Sequence, residues 1–255
     1  MTETAHLLTL SEADSNRFGL RIVRGHLDDN PELAARLLQE VDDAAAQIAI
    51  FRVPAGSTRL LHQLLASGLS PIHADTLVYH SRHLSEPITD EPTTPAWNIQ
   101  LATVGDSPGI AAVARQSFDS YRSHYHANPR LDPVRIAEGY AEWAISFIRQ
   151  NSPELETWTA QREGQVIAFA TCRLSHADHD VEIVLNAVLP GQAGQGVYGT
   201  LLRQILRAYQ ARHFRHIRIS TQIWNYRVQR AWARAGFIIT HAYDTYHLNI
   251  TPHAT

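Results

Sequence analysis

Lysine is absent from this sequence: all 22 basic residues among its 255 are arginine. Chemistry that depends on a lysine amine is therefore excluded, including Schiff-base and PLP enzymes, Walker-type nucleotide sites and the protein-kinase lysine. Because arginine replaces lysine throughout and alanine is abundant, the simplest interpretation is a bias in base composition rather than a functional adaptation.

Cysteine is also scarce, and long apolar runs are missing. The single Cys172 cannot form an internal disulfide, which fits a reducing compartment. No apolar run approaches the ~18 residues of a membrane span, and the N-terminal segment carries acids where a signal peptide carries positive charge. A net charge of -3 and a pI near 6.6 disfavour nucleic acid or membrane as partner. We expect a soluble, cytoplasmic protein.

Residues 84–97, LSEPITDEPTTPAW, contain three prolines and three acids without apolar periodicity. Proline removes backbone donors and forbids helix, so this stretch is the best candidate for a linker. An ordered loop within one domain is the alternative. We predict a small α/β N-terminal domain at 1–83, a linker at 84–97 and a second domain at 98–255.

Hydrophobic periodicity predicts strands alternating with helices on both sides of the linker. The predicted strands are 19–23, 46–53, 75–79, 98–104, 156–161, 166–174, 181–188, 216–222 and 243–249. The predicted helices are 31–41, 57–66, 110–118, 133–148, 197–213 and 225–235, the last ending at Gly236.

The most informative segment, 181–199, reads VEIVLNAVLPGQAGQGVYG. A strand is followed by glycines 191, 194 and 196 and then by a helix start. Such a loop presents backbone N–H groups at the positive end of a helix dipole, which suits a diphosphate. A dinucleotide-binding fingerprint is the obvious rival, but it requires an acid about 20 residues later. That position falls in ARHFRHIRI, which has none.

The run from Glu182 to Leu202, followed by Asn225 and RAWARAGF, resembles the acyl-CoA site of the GCN5-related N-acetyltransferase (GNAT) superfamily. The resemblance implies an α/β (α+β) fold with a mixed, mostly antiparallel sheet and splayed central strands. It also implies acetyl-CoA, or another short acyl-CoA, as co-substrate. Two departures stand in the diphosphate loop, where Ala193 replaces the family's Arg/Gln and Tyr198 its last glycine. The implied CoA-binding residues are Ala187, Val188, Gly194, Gln195, Gly196, Val197, Tyr198, Gly199, Asn225 and Trp232.

A wider resemblance spans some 230 residues and covers EADSNRFGLRIVR, SFDSYRSHYHANPRL and TQIWNYRVQRAWARAGF. These segments are similar to the two-domain dTDP-amino-sugar N-acyltransferases. The resemblance implies an amine acceptor carried on a nucleotide sugar and direct transfer in a ternary complex. A GNAT acting on another amine, such as an antibiotic or amino acid, and a non-catalytic acyl-CoA-binding module remain alternatives, and a homodimer is compatible with the sequence.

Acyl transfer needs a deprotonated amine and a stabilised oxyanion. The resemblance implies Glu182 as the base and the backbone N–H near Val188 as the catalytic oxyanion donor; a solvated strand-edge acid is the alternative for Glu182. Many relatives place a tyrosine seven residues after Asn225 as general acid, where this chain has Trp232. We predict that Trp232 packs against the pantetheine and that Asn225 contacts the CoA arm, with helix N-capping as the alternative.

The acceptor is expected between the segment 121–130 and the strand that contains Glu182. Ring faces and a guanidinium suit the base and diphosphate of a nucleotide sugar. The predicted substrate-binding residues are Tyr121, Tyr125, Arg130, Asn186 and Gln222. We expect no metal, because the spacing of His176, Asp178, His179 and Asp180 matches no standard site.

Overall fold

The computed structural model of the protein describes residues 6–88 and 97–250. Most of the predicted linker, residues 89–96, lies outside these ranges. Within them the chain forms two compact units. The first contains residues 6–78, 122–135 and 241–250, and the second contains 79–88, 97–121 and 136–240. The units are therefore interleaved along the chain, whereas the sequence analysis divides the chain once, at the linker.

The helices and strands agree closely with the predicted ones, with additions near the N-terminus. In chain order they are β1 (Thr9–Leu10), α1 (Glu12–Phe18), β2 (Ile22–His26), α2 (Leu33–Asp43), β3 (Ile48–Pro54), α3 (Arg59–Ala66), β4 (Ile72–His83), β5 (Asn98–Leu101), α4 (Ser107–Phe118), α5 (Val134–Arg149), β6 (Leu155–Arg162), β7 (Gln165–Ser175), β8 (Asp180–Val188), α6 (Val197–Ala211), β9 (His216–Gln222), α7 (Tyr226–Arg234) and β10 (Ile238–Asn249).

The first unit is built on β1, β2, β3 and the second half of β10. β2 and β3 run parallel, while β1 pairs antiparallel with β2 and β10 pairs antiparallel with β3. A parallel pair needs a crossover connection, and α2 provides it. The core lies under α2 and α3, where Leu37, Leu60, Leu64 and Phe51 are fully buried.

The short helix α1 was not predicted, because its sequence EADSNRF is polar and only seven residues long. Its ends are nevertheless defined by local chemistry. The Ser11 side chain accepts a hydrogen bond from the Asp14 backbone N–H, and Gly19 closes the helix at φ 66°. The two caps fix a helix that hydrophobic periodicity does not reveal.

The second unit contains the strand order β9-β8-β7-β6-β5. All neighbours in this row are antiparallel except β8 and β9, which run parallel. Helix α6 packs on the sheet through Val197, Leu201, Ile205 and Tyr209, which recur every four residues and are each at most 1% exposed. The mixed, mostly antiparallel α/β fold class is confirmed.

Gly236 lies just past the C-terminal end of α7 at φ +82°, and a methyl group placed on it would lie 2.7 Å from Nη1 of Arg82. Arg82 donates to the backbone oxygens of Ala235, Glu86 and Pro87. We expect Gly236→Ala to lower the free energy of unfolding by about 2 kcal/mol, from backbone strain plus displacement of Arg82. Urea denaturation measures this.

The matched control is Gly164→Ala, at φ +80° with nothing within 4 Å of the added methyl. It carries only the conformational cost of about 1 kcal/mol. Equal losses in the two variants would mean that Arg82 does not stabilise the end of α7.

Candidate active site

The parallel pairing of β8 with β9 stops part of the way along both strands. It joins Asp180–Ile183 to His216–Ile219, and within the described chain no further pair follows. β8 nevertheless continues to Val188 and β9 to Gln222. The rest of each strand, beyond Ile183 and Ile219, is therefore not paired with the other strand. Backbone groups in this state can pair with the amides of an extended ligand.

A β-bulge in β8 coincides with the end of this pairing. On β7 the adjacent residues Thr171 and Cys172 face Leu185 and Ile183, which makes Val184 the extra residue. A bulge bends its strand and increases the local twist. We call this divergence of β8 from β9 beyond Ile183 and Ile219 the splay. It therefore has a local cause in the backbone of β8.

The bulge also separates two predicted site residues. Glu182 faces Arg173 on β7, and Asn186 faces Ala170, so the two side chains point to opposite faces of the sheet. Oε2 of Glu182 lies 3.2 Å from Nη1 of Arg173, and the Glu182 side chain is 23% exposed. Glu182, the predicted base, therefore forms an ion pair with Arg173, at the end of β8 that is still paired with β9.

Ala187 and Val188, the residues predicted to meet pantetheine, lie on the part of β8 that is not paired with β9. Ala187 is buried, and Val188 packs half-buried against the core under α6. The Val188 carbonyl accepts a hydrogen bond of 3.1 Å from Oγ of Ser117, at the end of α4. One strand of the splay is thereby fixed to α4.

The glycine-rich loop between β8 and α6 adopts the backbone that its sequence predicts. Gly194 and Gly196 have φ values of +88° and +84°, in the left-handed region, and Gly196 is the residue from which α6 begins. Gln195 closes the loop by donating from Nε2 to the Gly191 carbonyl at 3.2 Å. The first N–H groups of a helix have no partner within it. Those of Val197, Tyr198 and Gly199 therefore add to the positive end of the α6 dipole, which suits an anion.

Two arginines lie beside this loop. A methyl group placed on Gly194 would lie 3.6 Å from Nη2 of Arg227, and one placed on Gly199 would lie 3.3 Å from Nη1 of Arg203. Arg203 comes from α6 and Arg227 from the first turn of α7. The loop is therefore flanked by positive charge that the loop sequence itself lacks.

Of the three positions that depart from the family pattern, Tyr198 and Trp232 touch each other. Nε1 of Trp232 donates a 2.7 Å hydrogen bond to the hydroxyl of Tyr198. Trp232 is 1% exposed and packs in the core, with its ring 5.0 Å from that of His80, and burial raises the pKa of Tyr198. The bond fixes the first turn of α6 to α7, and the predicted contact of Trp232 with pantetheine stays a prediction.

Tyr121, Gln222 and Asn225 lie together at the open end of β9. The Tyr121 hydroxyl donates to Oε1 of Gln222 and lies 3.5 Å from Oγ1 of Thr221, to which Nδ2 of Asn225 donates at 3.0 Å. Asn225 stands at the N-cap position of α7, but its side chain makes no capping bond. Ser117 of α4 contacts β8, and Tyr121, three residues beyond the end of α4, contacts β9, so this short segment bridges the two splayed strands.

An aromatic cluster continues from Tyr121. Its ring lies 5.1 Å from Trp224 and 5.4 Å from Phe118, which stacks on Tyr140 at 4.2 Å. Trp143 follows Tyr140 at 6.2 Å and is 40% exposed. These aromatic rings, of Phe118, Tyr121, Tyr140, Trp143 and Trp224, lie next to the open end of the splay, and we call them the aromatic wall.

Tyr125 and Arg130 belong to the first unit, whereas Tyr121, Asn186 and Gln222 belong to the second. The Tyr125 hydroxyl donates to Oδ1 of Asp14 at 2.7 Å, and burial raises the pKa of Tyr125. Nη1 of Arg130 donates to the carbonyls of Gln47 and Ile250 at 3.0 and 3.2 Å. The structure thus gives both residues partners within the first unit.

Sequence reasoning missed Arg203 and Arg227. The segment Ile183–Tyr243 contains eight arginines and no aspartate or glutamate, so a count of charges along the chain provides the missing signal. Across residues 6–88 and 97–250, no group of three His, Cys, Asp or Glu side chains is arranged to hold a metal ion. No helix in those ranges has the length and apolar character to span a membrane.

Comparison with known proteins connects this geometry to one family. Residues 117–237 match the family model of the acetyltransferase (GNAT) family. A GCN5-related N-acetyltransferase from Sphaerobacter thermophilus superimposes with a TM-score of 0.64 over 96% of this chain and 76% of that one, at 16% identity. A GCN5-related N-acetyltransferase from Kribbella flavida gives 0.58 over 92% and 83%, at 14% identity. Likeness at such identities shows the fold.

Among curated proteins, the spore coat polysaccharide biosynthesis protein SpsD of Bacillus subtilis (strain 168) is 28% identical over 158 residues. The match covers 61% of this chain and 52% of SpsD, so it spans about half the length of that relative. The matched family segment, 117–237, contains the splay, the glycine loop and α7. The segment that carries the site is therefore similar to the acetyltransferase (GNAT) family, and the chain shares the fold of these solved structures.

Proposed function

We propose that this protein moves the acetyl group of acetyl-CoA to the amine of an amino sugar carried on a nucleotide. The observation that carries the proposal is the splay of β8 from β9, with the glycine loop after β8 and with Ser117 and Tyr121 contacting the ends of β8 and β9. The similarity to SpsD, a polysaccharide biosynthesis protein, supports a sugar as acceptor.

The residues at the loop fit the diphosphate of CoA. The loop 193–196 is exposed, and glycine at 194 and 196 leaves the backbone open to close approach. The N-terminal end of α6 and the guanidiniums of Arg203 and Arg227 supply positive charge. When bound there, CoA would supply the activated acetyl thioester.

The free part of β8 would hold the thioester. Backbone groups of Ala187 and Val188 would pair with the pantetheine amides, and a β8 N–H would stabilise the oxyanion that develops at the thioester carbonyl. The amine must lose a proton before or during its attack, and the thiolate leaves with the electron pair of the broken C–S bond. A thiol pKa of ~8.5 makes thiolate departure tolerable without a strong acid.

The acceptor would lie against the aromatic wall. Tyr121 and Trp224 present ring faces, and Gln222 and Asn225 present amides beside them. Aromatic faces with a few polar groups are typical of sites that bind rings carrying hydroxyl groups. A sugar ring or nucleobase fits this lining better than a linear amine.

Glu182 is the proposed base and would act through water. Glu182 and Asn186 lie about 13 Å apart along the strand and point to opposite faces of the sheet, so the amine that Glu182 serves through water would lie on the Glu182 face and not at Asn186. We expect Glu182→Gln to lower kcat/KM at least tenfold, and most strongly at low pH, where an amine of pKa roughly 8 is protonated. The pH profile of kcat/KM measures this. Glu163→Gln, the same change at the exposed β6–β7 turn, should keep the wild-type profile, whereas an unchanged profile in Glu182→Gln would remove Glu182 as the base.

The decisive experiment is a thiol-release assay with acetyl-CoA and a panel of acceptors. The panel contains a nucleotide-linked amino sugar, the same nucleotide sugar with a hydroxyl in place of the amine, the free amino sugar, an aminoglycoside and an amino acid. We expect release only with an amine, and fastest with the nucleotide-linked sugar. Faster release with the aminoglycoside or amino acid would reject the nucleotide sugar. Binding of acetyl-CoA without turnover on any amine would indicate an acyl-CoA-binding module.

A further inference from the structure

Charge is strongly segregated in the second unit. From Ile183 to Tyr243 the chain has eight arginines and no acidic residue, although the whole sequence has more acids than bases. Some of these arginines have carboxylate partners outside the segment. Arg212 lies 2.8 Å from Glu156, and Arg218 lies 3.9 Å from Asp180. Three more, Arg227, Arg230 and Arg234, lie on α7.

Helix α7 concentrates this charge on one face. Arg227, Arg230 and Arg234 are spaced by three and four residues, which places them on one side of the helix, and all three are exposed. Trp232 occupies the buried side. Across the described residues no carboxylate lies within ion-pair distance of these three arginines. A helix face with three arginines at this spacing suits a ligand with several negative charges.

Only the first of the three reaches the glycine loop. Nη2 of Arg227 would lie 3.6 Å from a methyl group on Gly194, a residue with no side chain of its own to obstruct a ligand. The relative position of α6 and α7 is fixed by the part-buried hydrogen bond of 2.7 Å from the buried Trp232 to Tyr198. Arg227 is therefore held at the loop by a packed helix rather than by a flexible segment.

We propose that Arg227 binds the diphosphate of CoA and takes the place of the side chain that the loop lacks at Ala193. The inference rests on the proposed CoA site. A guanidinium donates two parallel N–H groups to a phosphate, and in a chain without lysine every cationic side chain other than histidine has this geometry. Arg230 and Arg234 extend positive potential along α7, but they lie farther from the loop and contribute to steering rather than to direct contact.

The test is calorimetric titration of CoA, 3′-dephospho-CoA and pantetheine into three proteins. These are the wild type, Arg227→Gln, and Arg149→Gln as a control with the same charge change at the exposed end of α5. We expect Arg227→Gln to weaken CoA and 3′-dephospho-CoA equally, by about tenfold, and to leave pantetheine unaffected. Arg149→Gln should bind all three ligands as the wild type does. The loss in Arg227→Gln should also shrink as salt rises.

Each other outcome has a distinct meaning. A wild-type protein that binds no CoA defeats the proposed function. Binding by the wild type with equal affinity in Arg227→Gln overturns only the role of Arg227. A loss confined to CoA and absent with 3′-dephospho-CoA would place Arg227 at the 3′-phosphate and reject the diphosphate assignment. A similar loss in Arg149→Gln would show a general charge effect and also reject it.

Discussion

Gly196→Val is expected to abolish measurable CoA binding, with a loss of affinity of at least about a hundredfold. Gly196 has φ +84°, and a β-branched residue is strongly disfavoured in that region. Steric clash is not the reason, because the nearest atom to an added methyl is 3.8 Å away, on Trp97. The valine would instead shift φ, turn the amides at the start of α6 away from the diphosphate and narrow its approach.

Gly164→Val is the matched control, since Gly164 has φ +80° in the β6–β7 turn with nothing within 4 Å. Both variants carry similar backbone strain, on the order of 1–3 kcal/mol. Titration with CoA and urea denaturation should be run on both. The expectation is a similar loss of stability in the two variants, with loss of CoA binding in Gly196→Val alone. Retention of CoA binding in Gly196→Val would place the diphosphate elsewhere.

Acidification from pH 6.5 to about 4.5 is expected to lower the stability of the first unit by a few kcal/mol. Nδ1 of His124 lies 2.9 Å from Nε2 of His247, and Nη2 of Arg24 lies 3.2 Å from Nε2 of His124. Because arginine only donates, Nε2 of His124 accepts, Nδ1 of His124 donates to His247, and both rings are neutral. A proton added to either ring would meet a donor instead of an acceptor.

Burial is the main cause that lowers the pKa values of both histidines. The charge of Arg24 acts in the same direction on both, and the pKa of His247 falls to about 4. The unfolded chain binds protons below pH 6.5 while the folded chain does not, so this stability is present above 6.5 and is lost as the pH falls toward 4. Each histidine contributes up to about 1.4 kcal/mol per pH unit in that window.

Urea denaturation at pH 7.5, 6.5, 5.5 and 4.5 measures this dependence. His247→Gln should be less stable than the wild type at pH 7.5, because it disrupts a fully buried side chain, but should lose less stability on acidification. His62→Gln, on the exposed face of α3, should retain the wild-type pH dependence. An identical pH dependence in His247→Gln and the wild type would exclude the histidine pair as its source.

Sequence patterns predicted most of the fold because the spacing of hydrophobic residues reflects which side chains are buried. In α3, Leu60 and Leu64 stand four residues apart and are fully buried, as leucines at helical spacing predict, although Leu65 is 55% exposed. The left-handed backbone of the loop was also predictable, since Gly194 and Gly196 adopt the positive φ values for which glycine is suited. Both features depend only on residues that are close together in the sequence.

Features set by distant contacts were not predictable. Residues 122–135 belong to the first unit, where His124 contacts His247 at a separation of 123 residues. No local pattern marks that pairing. Arg227 approaches Gly194 only because α7 packs on α6. A bulge at Val184 was likewise invisible, since buried and half-buried residues alternate without interruption along β8.

That bulge has a consequence for how this site can change over evolution. The opening between β8 and β9 begins beside one additional residue in a strand, and it does not depend on any particular side chain at Val184. Substitutions along β8 can therefore alter which acceptor fits while the opening persists. Closing the opening would require a deletion, which would also exchange the faces of every later residue in the strand. Specificity can thus drift by point mutation, whereas the opening itself changes only with the length of β8.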